Sequence, residues 1–107
     1  MTDSNILPSY YSNNEWEQIA SLDLDEPDYS FDLLTVWKNK KTGKFVYATD
    51  SGCSCPTPFE DHTADDFKDF SWSAVESTIA EEGKGTGGYP KPTDVAAFKD
   101  ALKKAGL

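Results

Sequence analysis

Cys53, Cys55 and His62 fall in one short stretch, DSGCSCPTPFEDH (residues 50–62), together with the carboxylates of Asp50, Glu60 and Asp61. Two thiolates, an imidazole and a carboxylate are the donor set of a tetrahedral zinc site. The spacing argues against it. Zinc knuckles place two to four residues between paired cysteines, and here only Ser54 intervenes. A disulfide across one residue closes almost no loop and is strained, so reduced thiols are expected. Cys53 or Cys55 with His62 is also the only thiol and base pair for nucleophilic catalysis. The neighbouring acids would raise a thiol pKa and so weaken the nucleophile. A self-packed loop with small buried thiols is the expected state, with no metal, no cofactor and no catalytic residue. Two prolines would hold the loop stiff, leaving Asp50, Cys53, Cys55, Phe59 and Glu60 to shape a surface for a partner.

Charge is the second feature with chemical content. The chain has 107 residues, 19 acids, 10 basic residues and a formal charge of -9, and every basic residue is a lysine. Without arginine there is no planar fork for bidentate contacts to phosphate or guanine, which argues against direct nucleic-acid binding. The charge is segregated: residues 1–37 carry acids and no base, residues 60–82 carry acids and only Lys68, and the last segment is lysine-rich. Asp23, Asp25, Glu26, Asp28, Asp61, Asp65, Asp66 and Asp69 are the candidates for an acidic face that attracts a basic partner and repels nucleic acid and anionic membranes. Such a face could mimic DNA phosphates and occupy a nucleic-acid-binding enzyme. The lysine-rich final helix should then lie away from it or act as a counterweight to it. The bland alternative is that these acids only keep a small domain soluble. The run GKGTGG (residues 83–88) lacks the spacing and ending of a phosphate-binding loop and reads as a linker.

The elements that must position these groups follow from periodicity. The chain suits one small domain, with about two thirds of its extended surface buried on folding. Residues 1–14 form a polar arm. From Glu15, the alternation of Trp16, Gln18, Ala20, Leu22 and Leu24 predicts a strand that ends at the turn Asp25–Asp28. Tyr29–Trp37, a turn at Asn39–Gly43 and Lys44–Thr49 predict a β-hairpin, one face of it covered by helices and the other partly wet. Residues 50–62 read as irregular. Thr63 with Asp66 predicts a capping box and a short helix edged by Phe67 and Phe70. Ser73 with Glu76 opens a second helix that stops at Gly83, and Thr93 caps a third through Val95, Phe98 and Leu102. The expected fold is therefore α+β: a small antiparallel sheet of about three strands with a central hairpin, then two or three C-terminal helices packed on one face. Trp16, Trp37 and Trp72 are expected as core or half-buried platform residues, whereas Tyr10, Tyr11 and Tyr89 sit in irregular segments and suit a binding surface.

The run FVYATDSGCSCPTPFED (residues 45–61) resembles small proteins encoded by bacteriophages of actinobacteria, which share a strand, an Asp-Ser-Gly turn, a Cys-x-Cys-Pro-x-Pro-Phe-Glu loop and trailing acidic helices. The resemblance covers about the middle third of the chain. It implies a phage-encoded protein in the bacterial cytoplasm and brings no activity or residue role with it. The absence of a signal-peptide pattern or long apolar run points to the same compartment. The expectation is a non-enzymatic acidic protein that binds a host protein with a basic surface. The alternatives are a metal- or thiol-dependent protein using Cys53, Cys55 and His62, or a virion accessory protein.

Overall fold

The computed structural model describes residues 7–10, 12–25, 30–53, 58–60, 62–83 and 90–107. Strands β1 (Trp16–Asp23), β2 (Ser30–Asn39), β3 (Phe45–Cys53) and β4 (Lys68–Asp69) are followed by helices α1 (Trp72–Gly83) and α2 (Pro92–Lys104). All neighbouring strands are antiparallel, in the spatial order β1-β2-β3-β4. The class is α+β, with one strand more than the three expected.

Both faces of the sheet are covered. On one face, Ala20, Leu22 and Leu24 of the first strand and Leu34 and Val36 of β2 pack against Val75 of α1 and Phe98 and Leu102 of α2. On the other, Leu33, Trp37, Val46 and Ala48 pack with Phe59, and Tyr10, Trp16, Phe31 and Phe67 close over them. The expected wet face is thus roofed by the arm and the loop that precedes β4. Trp37 anchors this layer: it is fully buried and its indole Nε1 donates to the Ser9 carbonyl at 2.7 Å. Trp16 and Trp72 are only half-buried.

A bulge in β1 explains why the simple alternation of that strand misleads. Gln18 pairs with Trp37 but Ala20 pairs with Val36, so an extra residue is inserted between them. Trp16 consequently joins the Trp37 face while Ala20, Leu22 and Leu24 join the helix face. The hairpin turn is built as expected: Asn39 Oδ1 accepts the Lys41 and Thr42 N–H groups at 2.9 Å each, and Gly43 supplies a φ of 76°.

Three expectations need correction. β3 does not stop at Thr49 but runs to Cys53, pairing with the start of β2, so Asp50 and Cys53 are strand residues. Phe31 stands opposite Gly52, and a Cβ placed there would lie 3.6 Å from the Phe31 ring. That ring covers the strand where glycine offers nothing to pack. The short helix after Thr63 is a single 3-10 turn, Ala64–Asp66, leading into β4. Phe67 and Phe70, three apart, would share one side of a helix, but as extended residues they point oppositely, one to each core layer. The helix caps also move. Ser71 Oγ, not Ser73, accepts the Ala74 N–H at 3.3 Å, and α2 starts at Lys91 with Pro92 at its first position. Its end is a Schellman turn, with Leu107 N–H to Leu102 O at 3.0 Å, Gly106 N–H to Lys103 O at 3.1 Å, and Gly106 at φ 109°.

Candidate functional site

Register places the acidic residues at one end of the sheet. Asp23 pairs with Leu33 and Leu33 with Asp50, so Asp23 and Asp50 lie on one row across three strands, about 10 Å apart at the ordinary strand spacing. Asp32 stands on the next row, beside Ser51, and Asp25 follows the end of β1. The opposite end is the hairpin turn, where Lys38, Lys40, Lys41 and Lys44 gather around Asn39 and Gly43. Glu15, Glu17 and Asp69 stand among these lysines, with Glu15 at 3.2 Å from Lys41, so the turn end is close to balanced while the other end is acidic.

Not every predicted acid joins the acidic end. Asp69, on the outer strand opposite to β1, pairs with Lys44 at 3.1 Å. Asp66 works locally: its carboxylate accepts the Thr63 N–H at 2.8 Å and the Thr63 hydroxyl at 3.2 Å, which closes the predicted box. The Thr63 backbone donor is the main reason its carboxyl lies below the usual aspartate range, with His62 and Lys68 adding to it. Asp65 is exposed beside it in the same turn. Glu26, Asp28, Asp61 and Cys55 lie outside the described residues, as do Tyr11 and Tyr89, and Cys53 is described only as the last residue of β3. Tyr10 is half-buried against the Trp37 layer and is not a free surface aromatic.

Two acids that the sequence did not single out, Asp32 and Asp94, complete the arrangement. Asp32, Asp50, Asp66, His62 and Lys68 line a concavity of about 640 Å³ beside β3. Asp94 enters from the first turn of α2 and stands against Asp23. Burial and then the charge of Asp94 push the Asp23 carboxyl above the ordinary aspartate value. Neither carboxylate has a cationic partner among the described residues. The first turn of the final helix thus brings an acid beside the end of β1, while its three lysines, Lys99, Lys103 and Lys104, lie further along it.

The loop residues have structural duties. Phe59 is 3% exposed with φ at 68°, and its ring meets Trp37 edge-on at 4.9 Å and His62 at 5.2 Å. Asp50 holds it there, one oxygen accepting the Ser51 N–H at 2.9 Å and the other the Phe59 N–H at 2.7 Å. His62 lies between Phe59 and Phe67, with Nε2 at 2.9 Å from the Thr49 carbonyl. A carbonyl only accepts, so Nε2 carries the proton and is unavailable to a metal. Glu60 is exposed in the same turn. Among the described residues no group of three His, Cys, Asp or Glu side chains is placed to hold a metal ion. Replacing Asp50 by alanine removes both acceptors and should cost about 1–3 kcal/mol in urea unfolding. Asp50→Asn keeps one oxygen and should cost less, which separates loss of the bonds from loss of charge.

Among the described residues no helix is long and apolar enough to cross a membrane. One family model, described as a domain of unknown function (DUF7574), matches residues 5–106. No curated protein and no solved structure matches.

Proposed function

Since the chain belongs to the DUF7574 family, a domain of unknown function, we propose that it is a non-enzymatic, phage-encoded binding protein. It engages a host protein that presents a basic surface, of the kind found on nucleic-acid enzymes, through the acidic end of its sheet. The observation that carries this reading is that Asp23 and Asp94 line one groove between β1 and α2, two like charges near enough to act on each other and with no cationic partner among the described residues. Like charges brought near each other oppose folding and favour any cation placed beside them. Asp25 and Asp32 extend the negative field on the same end, while the lysines of the hairpin turn stand at the other. The metal- or thiol-dependent alternative has less support, because His62 Nε2 is committed to Thr49 and Asp50 to the backbone of its own loop.

The sign of the Asp23 contribution gives a first check. A carboxyl whose pKa is raised on folding adds stability only while it is protonated, and that contribution is lost as pH rises through the folded value. At neutral pH the ionised Asp23 therefore works against folding. Asp23→Asn should raise the urea midpoint at pH 7, and the gain should fade as the pH falls through the raised folded value and be gone below 3.8, the ordinary aspartate value. The same variant should bind the partner more weakly. A variant neutral in both respects contradicts the assignment. The function itself is tested by co-purification from host lysate at low and moderate salt: a basic partner that is retained at low salt and released as salt rises is the expected result. A partner indifferent to salt, or none, contradicts it.

A further inference from the structure

β1 is an outer strand, and half of its backbone groups are spoken for. Leu24 N–H donates to Asp32 O at 2.7 Å, and Leu22 and Ala20 pair with Leu34 and Val36. In an antiparallel ladder the bonded residues alternate, so Ser21 and Asp23 turn their N–H and C=O groups away from β2. Nothing among the described residues bonds to those groups. Open edges of this kind invite another strand, and proteins usually shield them.

The space beside this edge is shaped to accept one. A groove of about 320 Å³ runs between β1 and α2, with Ser21 and Asp23 on one wall and Asp94, Ala97, Phe98 and Ala101 on the other. Ala97 and Ala101 are one helical turn apart, and their methyl groups leave room that longer side chains would fill. Phe98 provides an apolar floor, 3% exposed. Asp23 and Asp94 both line the groove, and the charge of Asp94 is felt at Asp23. An open strand edge facing a helix is the arrangement by which extended peptides are bound through strand addition, main-chain bonds giving affinity and flanking side chains giving selectivity.

We propose that the groove between β1 and α2 accepts an extended, lysine- or arginine-bearing segment of the partner protein, which adds to the sheet beside β1 with its cation between Asp23 and Asp94. The occupant follows from charge complementarity: a neutral or acidic strand would leave two adjacent carboxylates uncompensated, whereas a basic side chain relieves their repulsion. The inference rests on the reading of the acidic end as the binding surface and assigns that surface a definite contact.

The test uses the isotopically labelled full chain and, as probe, an amidated octapeptide of alternating lysine and valine, followed by amide NMR titration. A version N-methylated at every backbone amide keeps the charges and loses every backbone donor. Ala97→Phe, at an exposed position, fills the groove without altering charge, and its amide spectrum reports whether it folds. The expected result is shifts concentrated at Ser21, Asp23, Ala97 and Ala101, with apparent affinity about tenfold weaker or worse for the N-methylated peptide and for Ala97→Phe, the scale of a lost hydrogen bond. Equal shifts with both peptides, shifts spread over every acidic residue, or no shift at β1 overturn the inference. The first two of these leave an acidic binding end standing. Salt-indifferent capture of the host partner removes that broader reading instead.

Discussion

Phe59→Ala should lower the free energy of unfolding by about 3–5 kcal/mol, the cost of deleting a large buried ring together with the cavity it leaves. Phe59 closes the Trp37 layer, contacting Trp37 and His62 edge-on, and its backbone is tied to Asp50. Removing the ring exposes Trp37, so the near-ultraviolet circular dichroism of that indole should weaken alongside the shift in urea midpoint. Phe59→Gly should do no more harm than Phe59→Ala. Glycine lacks the ring equally but takes the φ of 68° without a Cβ penalty. A loss below about 1 kcal/mol for Phe59→Ala would mean that the segment does not form part of the core.

Leu102→Ala should cost about 2–5 kcal/mol on the opposite side of the sheet. Leu102 is fully buried, and with Phe98 it is the apolar contact by which α2 holds the helix-side core. Native-state hydrogen exchange should show protection falling first along α2, since the backbone bonds of its terminal turn remain but their packing support is gone. Phe59 and Leu102 belong to different core layers and share no partner, so their effects should add to within about 0.5 kcal/mol. Coupling much larger than that would show that the two layers fold as a single packed unit across the sheet.

The parts of the fold legible in the sequence are those where one periodicity acts alone. β2 and the start of β3 are rich in aromatic and β-branched residues, Asn39 and Gly43 mark their turn, and the apolar stripe of Val95, Phe98 and Leu102 marks α2. Where two requirements overlap, the pattern fails. Asp50, Ser51, Gly52 and Cys53 have the composition of a loop, yet pairing with β2 and the covering ring of Phe31 make them a strand. The bulge after Gln18 changes the face of everything upstream in β1, a shift invisible to a count of alternate residues. β4 is too short to carry a pattern. Ser71 and Lys91 outcompete Ser73 and Thr93 as caps because the helices begin slightly earlier, and Pro92 suits a first helical position.

The candidate site was legible as a charge property but not as a geometry. Asp23 and Asp25 were evident from the acidic first block, whereas Asp94 hides in a segment whose net charge is positive and reaches Asp23 only through the packing of α2 on β1. Asp50, Phe59 and His62 drew notice as chemical residues. Their hydrogen bonds and ring contacts show the same polarity and stiffness used to dock the loop. The lysines at the hairpin turn are largely matched by Glu15, Glu17 and Asp69, so the excess negative charge is left at the far end of the strands.

The central claim, that the acidic end of the sheet binds a basic partner, is tested most directly by one affinity comparison. The partner captured from host lysate is titrated with the wild-type chain and with the double variant Asp23→Asn, Asp94→Asn at two salt concentrations. The predicted result is a wild-type affinity that falls steeply with salt and a double variant that is weaker at low salt and much less sensitive to it. Equal affinities for the two proteins at both salt concentrations would contradict the claim.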